Sequence, residues 1–426
     1  MEERSTAPEK TLKSALAKLW NFNFVLLWQG QFVSAIGDVM YAIALGFWIL
    51  NRTGSTVLMG SLMAASTIPR IIVAPFAGVF VDRTDRKALL IIMDLIRGVI
   101  VTFIGIAAYA NFIHVWMVFA AGVILSFCGA FFTPAVLSSI PDIISKERTV
   151  QANSALSTIY TSSGILGNSA GGFLFKLLGA AFMFLFNGLS FLFSSIMLFF
   201  VKIPRIIHPH EQQHFFTDMK DGFTFIWKFR GLRNMVIMAF LLNFFANISI
   251  MLFVPLFQQN KQLGPGLYGL AMAFYTGGMF LGYVTTSAFK VPPEKRYEIF
   301  LYSATVGCLA VIGIPLTLIF PIMAALALIG GLCGSIVNSL ILGVMQLTTP
   351  QHQRGKVFAF LGSMTQGAVP IAYAVGGILA EIFSVRAVIA VGFAINLVIF
   401  LALAWNNSWK GYVNYDPEKH TLEEIM

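Results

Sequence analysis

Long apolar runs separated by short polar turns fill the chain from about residue 24 to residue 406. A helix rises about 1.5 Å per residue, so crossing a hydrocarbon layer of about 30 Å takes about 20 predominantly apolar residues. On that measure the runs predict spans over 24–49, 58–81, 88–110, 115–139, 154–176, 181–201, 234–257, 267–289, 298–318, 321–346, 357–382 and 386–406. The longest polar connection, 202–233, follows the sixth span. Within it Phe215 to Trp227 spaces its apolar and aromatic residues as an amphipathic helix on the membrane surface does. The chain thus divides into a six-helix bundle with a short tail (1–201), a linker (202–233), a second bundle (234–406) and a C-terminal tail (407–426). Sliding the chain on itself aligns Thr158–Gly172 with Ser363–Gly377, Gly-Gly pair on Gly-Gly pair, and sets Asp38 opposite Asn243. Parallel repeats of this kind hold a ligand between their halves near the bilayer midplane. The expected fold is an all-α membrane protein of twelve transmembrane helices in two pseudo-symmetric six-helix bundles.

Composition agrees. Hydrophobic residues make up 57% and charged residues 11% of the chain, against about 25% charged in soluble domains. Met1 to Lys18 lacks the short apolar core of a cleavable signal peptide, so the first run is expected to be a retained span. Most Lys and Arg lie in the tails and every second loop: Lys10, Lys13, Lys18, Arg83, Arg86, Lys87, Lys146, Arg148, Lys295 and Arg296 are examples. That bias predicts both termini in the cytoplasm. The net charge of +9 therefore reflects orientation, and no nucleic-acid partner is expected. Cys128, Cys308 and Cys333 sit in apolar runs without metal-ligand spacing and read as small buried hydrophobes. His208, His210 and His214 cluster in the linker, with Pro209 between two of them, and read as a solvated loop. With no Walker loop, nucleophile elbow, HExxH or dinucleotide fingerprint, neither an enzyme nor a bound cofactor or metal is expected.

Ionisable groups at bilayer depth cost at least a few kcal/mol and each needs a reason. Gln31, Ser34, Asp38 and Tyr41 recur on one face of the first span, which makes that face a cavity wall. Arg70 lies at similar depth in the antiparallel second span. Either the two form a fixed bridge, or Asp38 exchanges a proton while Arg70 tunes it. Asp94 and Arg97, three apart on the third span and near its start, suit a pair that braces the loop before it. In the second half amides replace charges: Asn243, Asn247, Asn338 and Gln366, with Tyr373, are candidate cargo contacts or interhelical hydrogen-bonding groups.

After the second span the chain reads Gly78-Val-Phe-Val-Asp82-Arg83-Thr-Asp85-Arg86-Lys87. It resembles the GxxxD(R/K)xG(R/K)(R/K) signature of the major facilitator superfamily, with Asp85 where Gly is usual. Gly78 suits close helix approach, Asp82 a cap or local pair, and the basic cluster a cytoplasmic turn. A degenerate copy in the second half is Gly282 followed by Lys290, Lys295 and Arg296. The fifth span carries Ser163, Gly167, Asn168, Gly171 and Gly172, similar to the superfamily's gxxxGPxxGG antiporter signature with Asn168 in place of Pro; helix packing explains the small residues equally well. The fourth span has no buried Arg, unlike many exporters. Further stretches, MDLIRG (93–98), FFTPA (131–135), ERTVQANS (147–154) and GKVFAFLGSMTQGAVPIAYAVGG (355–377), resemble the bacterial macrolide-efflux and enterobactin-exporter-like group of facilitators.

That resemblance implies a bacterial cytoplasmic-membrane exporter of amphipathic small molecules or drugs, working by alternating access as a proton antiporter and as a monomer. Export of a siderophore or lipid-like metabolite is the second expectation, and a non-transporting sensor or scaffold the third. The loop at 78–87 is expected to latch the halves in one conformation, as it does in the superfamily.

Overall fold

The computed structural model describes residues 19–145, 148–203, 215–260, 262–289, 291–404 and 407–416. The three linker histidines and Lys290 lie outside these residues. Every described element is helical: α1 (Phe22–Thr53), α2 (Thr56–Ala65), α3 (Ile68–Asp82), α4 (Arg86–Tyr109), α5 (Val115–Ile143), α6 (Thr149–Phe200), α7 (Phe215–Lys228), α8 (Arg230–Met251), α9 (Phe253–Gln259), α10 (Gly264–Ala288), α11 (Pro293–Gly313), α12 (Phe320–Thr348), α13 (Gln351–Ile382), α14 (Val385–Ala404) and α15 (Asn407–Val413). Eleven segments are long and apolar enough to cross a membrane. One of them, Gln151–Phe200, is 50 residues long and supplies two passes.

Gly179 divides it. Its φ of 75° and ψ of 179° are a conformation that a side chain would strain. In a straight helix Gly171 and Met183 would stand about 18 Å apart. Here a Cβ built on Gly171 would lie 3.5 Å from the Met183 methyl group, so the chain turns back on itself. The fifth and sixth spans are therefore antiparallel neighbours, and the passes among the described residues number twelve.

Two spans are broken within the apolar layer. The second stops at Ala65 and restarts at Ile68, with Pro69 at the new start. The seventh breaks at Leu252, ahead of Pro255. In each case proline removes an amide donor that an unbroken helix would use.

The helices cluster into two compact units. The first holds the described residues up to Leu45 and those from Ala65 to 203; the second holds Gly46–Ala64 and the described residues from 215 onward. The end of the first span and the start of the second, Gly46–Ala64, thus group with the second unit, a division finer than the boundary at 201 read from polarity. The first unit has a core around Phe24, Leu27, Leu90, Phe132, Ile140 and Leu198. In the second unit α7 occupies the stretch expected to be amphipathic and packs Phe223 against Phe360 of α13, ring centroids 5.7 Å apart and tilted by 52°. The C-terminal tail is not loose over its described part: α15 buries Trp409 and Tyr412, and the Tyr412 hydroxyl lies 2.7 Å from that of Thr348. Burial pushes the Tyr412 phenol above its ordinary pKa.

Candidate functional site

Within the first unit a chamber of roughly 320 Å³ gathers Gln31, Ser34, Asp38 and Tyr41 of α1, Arg70 of α3 and Arg97 of α4. The four α1 residues are those whose spacing marked a polar face. Asp38 is exposed to this space. Its carboxylate accepts from Asn187 Nδ2 at 3.4 Å. Gly37 makes that possible, because a Cβ there would meet Asn187 Cα at 3.2 Å; the missing side chain lets the sixth span come within reach. Ser34 closes the same seam by donating to the Ser190 carbonyl at 3.2 Å. The Tyr41 hydroxyl is buried and has no hydrogen-bond partner among the described residues.

Asp38 and Arg70 share the chamber without forming an ion pair. Arg70 instead donates through Nη2 to Thr133 Oγ1 at 3.5 Å, and its backbone N–H, set free by the break before α3, finds Ser126 Oγ at 3.1 Å. The break therefore puts a cation and a helix start on the chamber wall, a common design for charged sites inside membranes.

Asp94 and Arg97 form a salt bridge in the core. Asp94 is wholly buried, and the Arg97 guanidinium is held between the rings of Phe132 and Phe191, 4.1 and 4.4 Å from their centroids. Because Arg97 also lines the chamber, the pair adjoins Asp38 and is more than a brace for a distant loop.

The loop itself is pinned by other contacts. Asp85, the departure from the usual glycine, caps α4 by accepting from the Ala88 amide at 3.2 Å. Arg86 bridges to Asp142 at 2.7 Å and donates to the Ser138 carbonyl, and Lys87 donates to the Phe199 carbonyl at 2.7 Å. These contacts tie the third span to the fourth and sixth. Arg83 is exposed, and the side chain of Asp82 lies outside the described residues. A Cβ on Gly78 would meet nothing within 4 Å, so no close approach is made there. In the fifth span Gly167 and Gly171 pack on Val39 and Ile43 of α1. Ser163 and Gly172 are buried and Asn168 half-buried beside them.

The second unit has its own cavity, roughly 470 Å³, which takes in Asn243 and Asn338. Asn338 donates to the Tyr283 hydroxyl at 3.0 Å, and Asn247 donates to Asn243 Oδ1 at 2.7 Å one turn away. Asn247, Gln366 and Tyr373 do not line this cavity. Near Tyr373, Glu381 at the end of α13 accepts from the Thr56 amide and hydroxyl at 3.2 and 2.9 Å, capping the start of α2 from another helix.

Sequence reasoning missed Asn187, Asp142, Glu381 and Asn396, which lines the second unit's cavity. Each is a lone polar group in or at the end of an apolar run, which was the available signal.

Twelve passes, a repeat relating two six-span halves and charged groups around a chamber inside one of them define a major facilitator transporter. Solved structures of the same fold include a bacterial homologue of the iron transporter ferroportin (14% identity, TM-score 0.70, covering 91% of this chain and 98% of that one). The nucleoside transporter NupG is similar as well (15% identity, TM-score 0.68, covering 92% and 99%). Residues 13–421 match the family model described as transmembrane secretion effector, and the chain belongs to that family of facilitators. It is a multi-pass membrane transporter and not an enzyme. Macrolide efflux protein A of Streptococcus pyogenes is 24% identical over 377 residues, 86% of this chain and 90% of the relative. The multidrug efflux pump Tap of Mycolicibacterium fortuitum is 24% identical over 360 residues, 81% and 86% respectively.

Proposed function

We propose that this protein exports amphipathic small molecules, drugs of the macrolide-like class among them, from the cytoplasm by alternating access, in exchange for protons that Asp38 carries. The observation that carries the reading is a carboxylate exposed to an intramembrane chamber, held by one amide and by no ion pair among the described residues. A carboxylate locked to a guanidinium stays charged; one left in a partly wetted chamber can take up and release a proton as the chamber opens. Arg70 and Arg97, on the same wall, hold the charged form within reach. Arg70 acts as modulator through its field and not through contact. The cargo class is supported by the efflux relatives and by the uncharged cavity of the second unit, whose apolar lining with a few amides suits adaptable binding. Tails and even loops rich in Lys and Arg support cytoplasmic termini. Each unit encloses a complete cavity of its own, which supports a monomer as the working form.

The test is accumulation of radiolabelled erythromycin, a weak base with a neutral form, and of uncharged N-phenyl-1-naphthylamine in cells that express the protein, with and without a protonophore. The reading expects lowered accumulation that the protonophore restores. Equal accumulation with and without the protein for both compounds would remove the drug-export reading in favour of an endogenous metabolite. Arg70→Ala is expected to move the pH profile of export; an unmoved profile would end its modulator role.

A further inference from the structure

The cavity of the second unit runs deeper than the face on which its two predicted asparagines lie. Its mouth is formed by exposed positions, Asn243, Gly334 and Asn338, on α8 and α12. Its floor is formed by buried positions on two further helices, Ser303 and Cys308 of α11 and Asn396 of α14. No Asp, Glu, Lys, Arg or His lines it. A charged guest would lose its hydration there without a counter-charge, so the lining selects neutral molecules. Asn396 supplies the specific chemistry. It is 3% exposed; its Nδ2 donates to the Leu242 carbonyl at 3.3 Å, and its Oδ1 has no partner among the described residues. Asn396 belongs to the cavity wall, but this acceptor has almost no surface of its own; once the amide turns into the open space, a guest that brings a donor satisfies it.

We propose that this cavity is a binding site for uncharged amphipathic molecules that combine an apolar body with one O–H or N–H donor, the donor being received by Asn396 Oδ1. That the guest is cargo rests on the export reading above; that the site binds such molecules does not. The volume suits a body of two or three fused or linked rings. Cys308 on the floor is a free thiol and reports occupancy.

The experiment uses the full chain in lipid nanodiscs at equilibrium, without a proton gradient. The probe is N-phenyl-1-naphthylamine, neutral and apolar with a single N–H, whose fluorescence rises in dry surroundings; empty nanodiscs give the background. 1-Naphthyl phenyl ether, the same shape without the donor, serves as competitor. Saturable binding is expected, together with slower labelling of Cys308 by N-ethylmaleimide in a Cys128→Ala, Cys333→Ala background. Gly334→Leu should weaken the probe at least tenfold, because a Cβ there meets nothing within 4 Å and the side chain enters the open space without striking backbone. Asn396→Leu, close to Asn in shape, should weaken the amine about five- to tenfold and leave the ether unchanged. Size-exclusion and thermal unfolding establish that both variants fold, and either one alone suffices for the test. No saturable binding, or full binding in a folded Gly334→Leu, overturns the site. An equal loss for amine and ether in Asn396→Leu overturns the anchor and leaves a cavity that reads shape only. Intact binding with failed export would count against the export reading alone, and intact export with failed binding against the site alone.

Discussion

The two halves of this repeated architecture enclose cavities of opposite chemistry. The chamber of the first unit concentrates charge: Asp38, Arg70 and Arg97 around roughly 320 Å³, with Asp94 buried behind them. The cavity of the second is larger, roughly 470 Å³, and lined by amides, hydroxyls and aromatic rings without one charge. The repeat makes the contrast concrete, since the slide that superposes the halves sets the carboxylate of Asp38 on the amide of Asn243. Charge is needed where a proton is bound and released, and is costly where neutral cargo must bind and leave. On the proposed reading the difference is a division of labour, with one half handling the ion and the other the greasy molecule.

That comparison can be broken in several places. The largest effect is expected from Asp38→Asn, which should cut protonophore-sensitive export by tenfold or more, whereas Asn243→Ala should alter which compounds are exported and leave coupling in place. Accumulation assays on both variants separate the two roles. Next comes Arg97→Met, which leaves Asp94 buried without its partner and should cost about 3–5 kcal/mol of stability. Unfolding of the purified protein checks this, and the double variant with Asp94→Asn should recover part of the loss.

The two motif glycines sharpen the comparison further. Gly282→Ala would drive a methyl group against the Leu332 carbonyl at 2.5 Å and against the Ser335 hydroxyl, and should destabilise the second unit by about 1–3 kcal/mol. Glu381→Gln removes a charged acceptor from the start of α2; since Glu381 is exposed, a loss of about 0.5–1 kcal/mol is expected. Gly78→Ala meets open space at a half-buried helix position and should be neutral or stabilise by up to about 1 kcal/mol. Melting temperatures of the three variants rank them; a Gly78→Ala protein less stable than Gly282→Ala would reverse the packing difference.

Most of the fold was legible because the bilayer imposes one length on every pass. Apolar runs of about 20 residues locate all twelve spans, and even the turn at Gly179 falls in the gap left between the fifth and sixth. The breaks inside the second and seventh spans were not legible in that way, since hydropathy is blind to whether a run is one helix or two. Pro69 and Pro255 were the available signals. The polar face of α1 was readable because helical periodicity puts Gln31, Ser34, Asp38 and Tyr41 in line. Its partner was not: Asn187 lies 149 residues away, and nothing local ties the two together. The expected contact between Asp38 and Arg70 matched depth along two helices. Depth does not fix azimuth, and the break before α3 sends Arg70 to Thr133 instead. The Asp94–Arg97 pair was visible from its spacing, whereas its position beside the chamber depends on Phe132 and Phe191 from two other spans. In the loop at 78–87 the motif drew attention to Gly78, while the contacts fall on Asp85, Arg86 and Lys87.

The proposed coupling turns on whether Asp38 carries the exchanged proton. The most direct measurement uses proteoliposomes that contain the wild type or Asp38→Asn, with a compound that the wild type exports, under an imposed pH difference and again under none. The wild type should drive the compound up its gradient in proportion to the pH difference. Asp38→Asn should still exchange labelled for unlabelled compound across the membrane and ignore the pH difference. Proton-driven accumulation by the Asp38→Asn protein at the wild-type rate would contradict the account.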